Sequence, residues 1–281
     1  MREEIDRAIT KNAPAQLASI LESATASEIG YAARRLAQTD TTPEATLERA
    51  EALAHRSEAS TRHVACHLVF RIYSDGSSLG ISLLEQLLDD EDWAVRDTAA
   101  TMAGRLLRKD FDGMIDAVRS WRESPSAAVR RACVVAAGRA AHPRHIEWAE
   151  PLLKLLEPLL DDRDPLLRRA LGPSTLGGSL LDCYPTLAFE YLTQWSTSND
   201  PQILWNVAMA FSAPPAATMA RKALIILRKL SLDERRYVWR AVASALWKLG
   251  RKCPEIVRPE LARWLEDERR TDVAREALSY L

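Results

Sequence analysis

One position of a repeated phrase gathers many of the side chains in this chain that are equipped for chemistry. The phrase reads Thr61-Arg62-His63-Val64, then Val95-Arg96-Asp97-Thr98, Val129-Arg130-Arg131-Ala132 and Leu167-Arg168-Arg169-Ala170. It continues as Ile203-Leu204-Trp205-Asn206, Val238-Trp239-Arg240-Ala241 and Val273-Ala274-Arg275-Glu276. Its third position holds His63, Asp97, Arg131, Arg169, Trp205, Arg240 and Arg275. The planar fork of arginine matches phosphate oxygens, and tryptophan offers a π-face to a cation. A carboxylate stabilises developing positive charge or positions a water. The same residues have a plainer use. Asp97 can pair with Arg96, Arg130 or Arg131 across adjacent repeats, and the arginines can face solvent against acidic turns.

The elements that position this column follow from the spacing. From Val95 onward the phrase returns after 34, 38, 36, 35 and 35 residues. Such a period with Ala- and Leu-rich filling is the signature of an all-α helical solenoid, in which equivalent positions line up along the stack. Each repeat reads as two helices joined by a turn rich in Asp, Ser or Pro, residues that cap the second helix. The pairs are 81–88 with 93–107, 111–122 with 127–141, 146–160 with 166 onward, 187–195 with 202–211, 217–230 with 235–250, and 257–266 with 271–281. Residues 1–40 read as two or three helices, broken at Thr10 to Pro14. Pro43 suits the first turn of a helix over 43–56, another covers 60–73, and Ser74 to Ser78 form a turn. The chain reads as a single repeat domain over 1–281, with N-terminal helices over 1–60 and tandem repeats over 61–281. One repeat breaks its own pattern. Gly172-Pro173 and Gly177-Gly178 fall inside its second helix, which is expected to kink or break near Gly172. That break is either a local bend or a place where backbone approaches a ligand.

Composition narrows the function classes. Hydrophobic residues make up 47% of the 281 residues, ample for a core. The longest apolar runs are far too short to span a bilayer, and the charged start Met1-Arg2-Glu3-Glu4 lacks a signal region. A cytoplasmic protein is expected. The four cysteines are scattered without a C-x-x-C pair and the five histidines lack ligand spacing, so no metal or cofactor is expected. The net charge of −1 argues against nucleic-acid binding by bulk charge. Yet 31 of the 38 basic residues are Arg, either through genome composition or through phosphate recognition.

Three stretches carry a family resemblance. They are Asp92-Trp93-Ala94-Val95-Arg96-Asp97, Val129-Arg130-Arg131-Ala132 and Leu167-Arg168-Arg169-Ala170-Leu171-Gly172. Over roughly residues 80 to 250 the chain resembles the AlkC/AlkD superfamily of HEAT-like-repeat alkylpurine DNA glycosylases. Arg168 to Asp182, followed by Tyr184-Pro185 and the helix ending at Trp195, looks particularly like the AlkC branch. The resemblance implies a C-shaped solenoid whose concave face wraps duplex DNA, and excision of cationic N3- or N7-alkylated purines. At least some members act without flipping the base into a pocket, unlike most glycosylases. Trp93 and Asp97 match the family's Trp-x-x-x-Asp pair, a spacing that puts both on one helix face. Arg131 matches an arginine that faces the DNA backbone near the lesion. The second tryptophan of the AlkD branch falls on Pro173, and a glutamate of the AlkC branch falls on Val135. Both are therefore absent.

The chemistry agrees with that match. A cationic purine leaves as a neutral base and needs no protonation. Negative charge near the forming oxocarbenium ion helps, and Asp97 would supply it or orient the water. Trp93 would present its π-face to the cationic sugar. DNA contacts are expected from Arg96, Arg130, Arg131, Arg168, Arg169 and Arg240, with Trp205 and Trp239 in or beside the column. The expected partner is double-stranded DNA carrying alkylated purines, bulky adducts included, bound by a monomer. Two other uses share these residues: a noncatalytic binder of damaged or branched DNA, and a protein-interaction scaffold.

Overall fold

The computed structural model describes residues 1–74 and 79–281. The fold is an all-α helical repeat, 79% helical, and no strand occurs among the described residues. Its residues group into two compact units, Met1–Ala136 and Ala137–Leu281. The expected turn over Ser74 to Ser78 lies, from Asp75 on, outside the described residues.

The first unit contains α1 (Arg2–Thr10), α2 (Pro14–Glu22), α3 (Ala26–Ala37), α4 (Pro43–Ala54), α5 (Ala59–Ser74), α6 (Ile81–Leu88), α7 (Trp93–Lys109) and α8 (Phe111–Ser120). Helix α9 (Ala127–Ala140) crosses the division. The second unit contains α10 (Ala149–Leu156), α11 (Pro165–Arg169), a wide-turned segment Ala170–Leu180, α12 (Leu181–Cys183) and α13 (Pro185–Trp195). It ends with α14 (Pro201–Ala210), α15 (Ala220–Leu230), α16 (Arg236–Lys252), α17 (Pro254–Leu265) and α18 (Thr271–Leu278).

The helix pairs expected from the period are present, with ends shifted by a few residues. The turns before the second helices share one chemistry. Asp90 accepts from the Asp92 amide at 2.8 Å, and Asp92 then caps α7 by accepting from Ala94 and Val95 at 2.8 and 3.2 Å. Asp162 and Asp164 repeat this before α11 (2.9 Å each), and Ser198 and Asp200 before α14 (3.1, 2.7 and 3.2 Å). Each cap satisfies amides that the helix leaves orphaned, worth about 1 kcal/mol. The first helices are stitched by tryptophans. The Trp121 indole donates to Glu85 at 2.8 Å, and Trp195 donates to Glu157 at 2.8 Å, partners 36 and 38 residues apart. Small residues let the second helices approach closely. On α7 the buried set is Val95, Ala99, Ala100, Met102, Ala103, Gly104, Leu106 and Leu107.

The Gly172-Pro173 repeat resolves differently from the expected kink. Helix α11 does not break there; it widens into eleven residues of π-helix over Ala170–Leu180, with Pro173 inside. Pro173 cannot donate to the carbonyl of Arg169, and the Ser174 hydroxyl reaches that carbonyl at 3.4 Å. A π-turn absorbs the proline by shifting the hydrogen-bond register by one residue. The glycines serve packing against α14. A Cβ on Gly177 would lie 2.2 Å from the Ala210 carbonyl oxygen and 2.8 Å from the Ala213 Cβ. Gly177→Ala is therefore expected to destabilise the second unit by about 1–3 kcal/mol or more. Gly178→Ala, whose Cβ would meet only the Pro173 carbonyl at 3.4 Å, is the matched control in urea unfolding.

A half-buried histidine gives the first unit a pH dependence. His67 on α5 is pushed down to about 4, first by burial and then by Arg105, His63 and Arg34. It is neutral in the fold and takes up a proton near its ordinary value of 6.5 only when unfolded. The unfolded chain thus binds more protons between these limits, so stability is full above pH 6.5 and falls as pH drops toward 4. The loss is expected to be on the order of 2–3 kcal/mol. His67→Gln should flatten this part of the stability–pH curve, measured by denaturant unfolding between pH 4 and 7.

Candidate nucleic-acid interface

The two arginine positions of the phrase have different fates. At the second position, Arg62 donates through Nη1 to the carbonyls of Arg56 and Ser57 at 2.9 and 2.7 Å. Arg96 donates in the same way to Asp90 and Glu91 at 2.5 and 2.8 Å, and Arg130 to Ser124 and Pro125 at 2.9 and 3.0 Å. In all three the guanidinium folds back on carbonyls six and five residues earlier and locks the turn that starts its own helix. This accounts for much of the recurring arginine signal by architecture. The remaining nitrogens of Arg96 have no hydrogen-bond partner among the described residues.

Arg168 departs from that pattern. Its Nη1 donates to the Tyr237 hydroxyl at 3.0 Å, and its guanidinium lies 5.7 Å from the ring centroids of both Trp205 and Tyr237. Those rings stack with centroids 5.9 Å apart and planes 15° apart. The Tyr237 hydroxyl donates in turn to Gln202 at 2.6 Å. One cation thus ties together α11, α14 and α16. Burial raises the Tyr237 phenol above its ordinary value, while Arg168 opposes the rise. Tyr237 escaped the sequence reading, yet a signal was there. The residue just before the phrase is Ala94 and Ala128 in the first unit, but Leu166, Gln202 and Tyr237 in the second. Small residues give way to large ones where the cluster forms, and Leu166 is 55% exposed.

The third position divides as well. The Arg131 Nη2 donates to Asp97 Oδ1 at 2.7 Å, joining α9 to α7. The pair expected as the structural alternative therefore exists. It engages one carboxylate oxygen and leaves Asp97 41% exposed. Oδ2 has no hydrogen-bond partner among the described residues. Trp93, one helical turn before Asp97, is 67% exposed at the start of α7. An indole this exposed contributes little to packing. Trp93→Ala is expected to change stability by less than about 0.5 kcal/mol, a result that calorimetry checks and that would leave any functional loss unconfounded. Further along, Arg169 is exposed and unpaired among the described residues, Trp205 is part of the cluster above, and Trp239 is half-buried. Arg240 pairs with Glu276 at 3.2 Å. Asp97 and Arg131 thus meet in the first unit, with Trp93 one turn before Asp97 on α7, and Arg168, Trp205 and Tyr237 meet in the second.

No three-residue cluster of His, Cys, Asp or Glu that could hold a metal ion occurs among the described residues. No helix there is long and apolar enough to cross a membrane.

Comparison with known proteins bears on this arrangement. No curated protein matches the sequence. Among solved structures, one engineered protein aligns with a TM-score of 0.42 at 18% identity, covering 99% of this chain and 80% of its own. A second engineered protein gives 0.30 at 16% identity, covering 83% and 97%. The model of a family described as DNA alkylation repair enzyme matches residues 24–174, more than half of the sequence. That span includes the exposed Trp93, the Asp97–Arg131 pair and Pro173, and this chain belongs to the DNA alkylation repair enzyme family.

Proposed function

We propose that the protein is a DNA glycosylase that hydrolyses the N-glycosidic bond of cationic N3- or N7-alkylated purines in duplex DNA. The observation that carries this reading is the pairing on α7 of an exposed tryptophan with a half-exposed carboxylate one turn later. Arg131 holds one oxygen of that carboxylate, which fixes its direction, and the other oxygen stays available. As the cationic base departs, positive charge builds on the sugar. Asp97 Oδ2 stabilises that charge and orients the water that attacks the sugar. Trp93 presents its π-face to the same cation, worth about 0.5–2 kcal/mol. Arg96, Arg130 and Arg131 in the first unit, and Arg168, Arg169 and Arg240 with Trp205 and Trp239 in the second, each contact the DNA backbone. Arg168, held by two rings and a hydroxyl, is a pre-oriented phosphate donor.

A second reading has its own support. Pro173 and Val135 stand where the related enzymes place a tryptophan and a glutamate, which favours a binder of damaged DNA without catalysis. Incubation with duplex DNA bearing N7- and N3-methylpurines separates the two. The glycosylase reading predicts free base and abasic sites; tight, salt-sensitive binding with no released base would leave the binder.

A further inference from the structure

Near the end of the second unit, α16, α18 and the residues just after α18 line a cleft that shares only Arg240 with the proposed DNA contacts. It measures about 260 Å³ and is lined by Arg240, Ala243, Ser244, Trp247, Glu276 and Tyr280. The cleft lies outside residues 24–174, the span matched by the family. The rings of Trp247 and Tyr280 form a corner, with centroids 5.5 Å apart and planes 53° apart. The corner is fixed, because the Trp247 indole donates to the Tyr280 carbonyl at 2.7 Å. Tyr280 is nevertheless 61% exposed. At the other side, Arg240 donates to Glu276 Oε1 at 3.2 Å, with the two side chains 52% and 33% exposed. Glu276 Oε2, the remaining Arg240 nitrogens and the Ser244 hydroxyl have no hydrogen-bond partner among the described residues.

The site therefore offers an aromatic wall, a carboxylate acceptor and a guanidinium donor side by side. A ligand that matches it is small, flat and apolar on its faces, with donors and an acceptor together on one edge. A guanine base has this make-up: its O6 and N7 accept from arginine, and its N1–H and 2-amino group donate to a carboxylate. Stacking on an aromatic side chain holds any base, and the edge contacts then select guanine. The Arg240–Glu276 pair is neutral as a unit, and Arg251 adds a positive charge 6.0 Å from the Trp247 ring centroid, so a neutral base suits the cleft better than a cationic one. We infer that this cleft binds an unpaired guanine base, as a free nucleoside or as a nucleotide displaced from a duplex. The site is independent of Trp93 and Asp97, and its failure would leave the proposed glycosylase untouched.

Isothermal titration of the full chain tests the inference with guanosine, inosine, adenosine and a duplex carrying one bulged guanine. Guanosine should bind at least tenfold more tightly than inosine, which lacks the 2-amino group, and than adenosine. Glu276→Gln should remove the guanosine-to-inosine preference, and Trp247→Leu should weaken guanosine at least tenfold. Circular dichroism checks that Trp247→Leu stays folded; if it does not, the Glu276→Gln result decides alone. A preference for the bulged duplex over the same duplex without the bulge that Trp247→Leu abolishes assigns the cleft to displaced nucleotides, and guanosine binding without such a preference assigns it to the free nucleoside. No guanosine or bulge binding, equal affinity for inosine, or an unchanged preference in Glu276→Gln would overturn the assignment.

Discussion

Arg62→Ala is expected to lower stability by about 3–5 kcal/mol, the largest loss from any single truncation proposed for this chain. Arg62 is 6% exposed, and each of its donors is used. Nε and Nη2 grip both oxygens of Asp90 at 2.8 and 3.0 Å. Nη2 also reaches Glu91 at 3.3 Å, and Nη1 serves the carbonyls of Arg56 and Ser57. Five N–H groups meet five acceptors, the full capacity of a guanidinium. Asp90 is itself buried, its side chain 8% exposed. Removing the arginine would leave a carboxylate without its counter-ion and two turn carbonyls without a donor. Lysine, with a single point charge and no fork, should recover only part of the loss. Replacing Arg62 and Asp90 together with leucine should cost less than Arg62→Ala alone, since no stranded charge remains. Urea unfolding of the three variants checks this order.

Asp97→Asn is expected to slow base release by about 10²- to 10³-fold while leaving the fold in place. The Asp97–Arg131 pair is partly solvent-exposed, so breaking it should cost no more than about 1 kcal/mol. Asparagine keeps the shape and still accepts from Arg131 through its amide oxygen. What it loses is the negative charge beside the forming sugar cation. Arg131→Ala should act differently. It leaves the charge but frees the carboxylate to rotate, so a smaller loss of rate with weaker DNA binding is expected. Single-turnover rates and binding isotherms at one fixed salt concentration separate these effects.

The period of the phrase made the helix pairs and the capped turns readable from the sequence. Its limits were physical ones. A run of Val-Arg phrases cannot show whether a guanidinium points outward or folds back. Arg62, Arg96 and Arg130 fold back because each turn exposes carbonyls within reach, a fact of backbone geometry. Gly172-Pro173 looked like a break because an α-helix cannot hold an interior proline; the π-turn that holds it depends on a glycine-lined contact with α14. Asp97 was read both as a site residue and as a partner of a neighbouring arginine. The structure brings Arg131 to one of its oxygens, a monodentate geometry that spacing alone cannot predict. The Arg168–Trp205–Tyr237 cluster spans three second helices, and only the growth in side-chain size before each phrase foreshadowed it.

The central claim is that Asp97 drives hydrolysis of the glycosidic bond, and one measurement meets it directly. Wild-type and Asp97→Asn proteins are mixed in excess with duplex DNA carrying a single N7-methylguanine, and free base is followed over time. The account predicts release by the wild type and a rate at least 100-fold lower in the variant at matched DNA occupancy. Equal rates in the two proteins, or no release from fully bound DNA by the wild type, would contradict it.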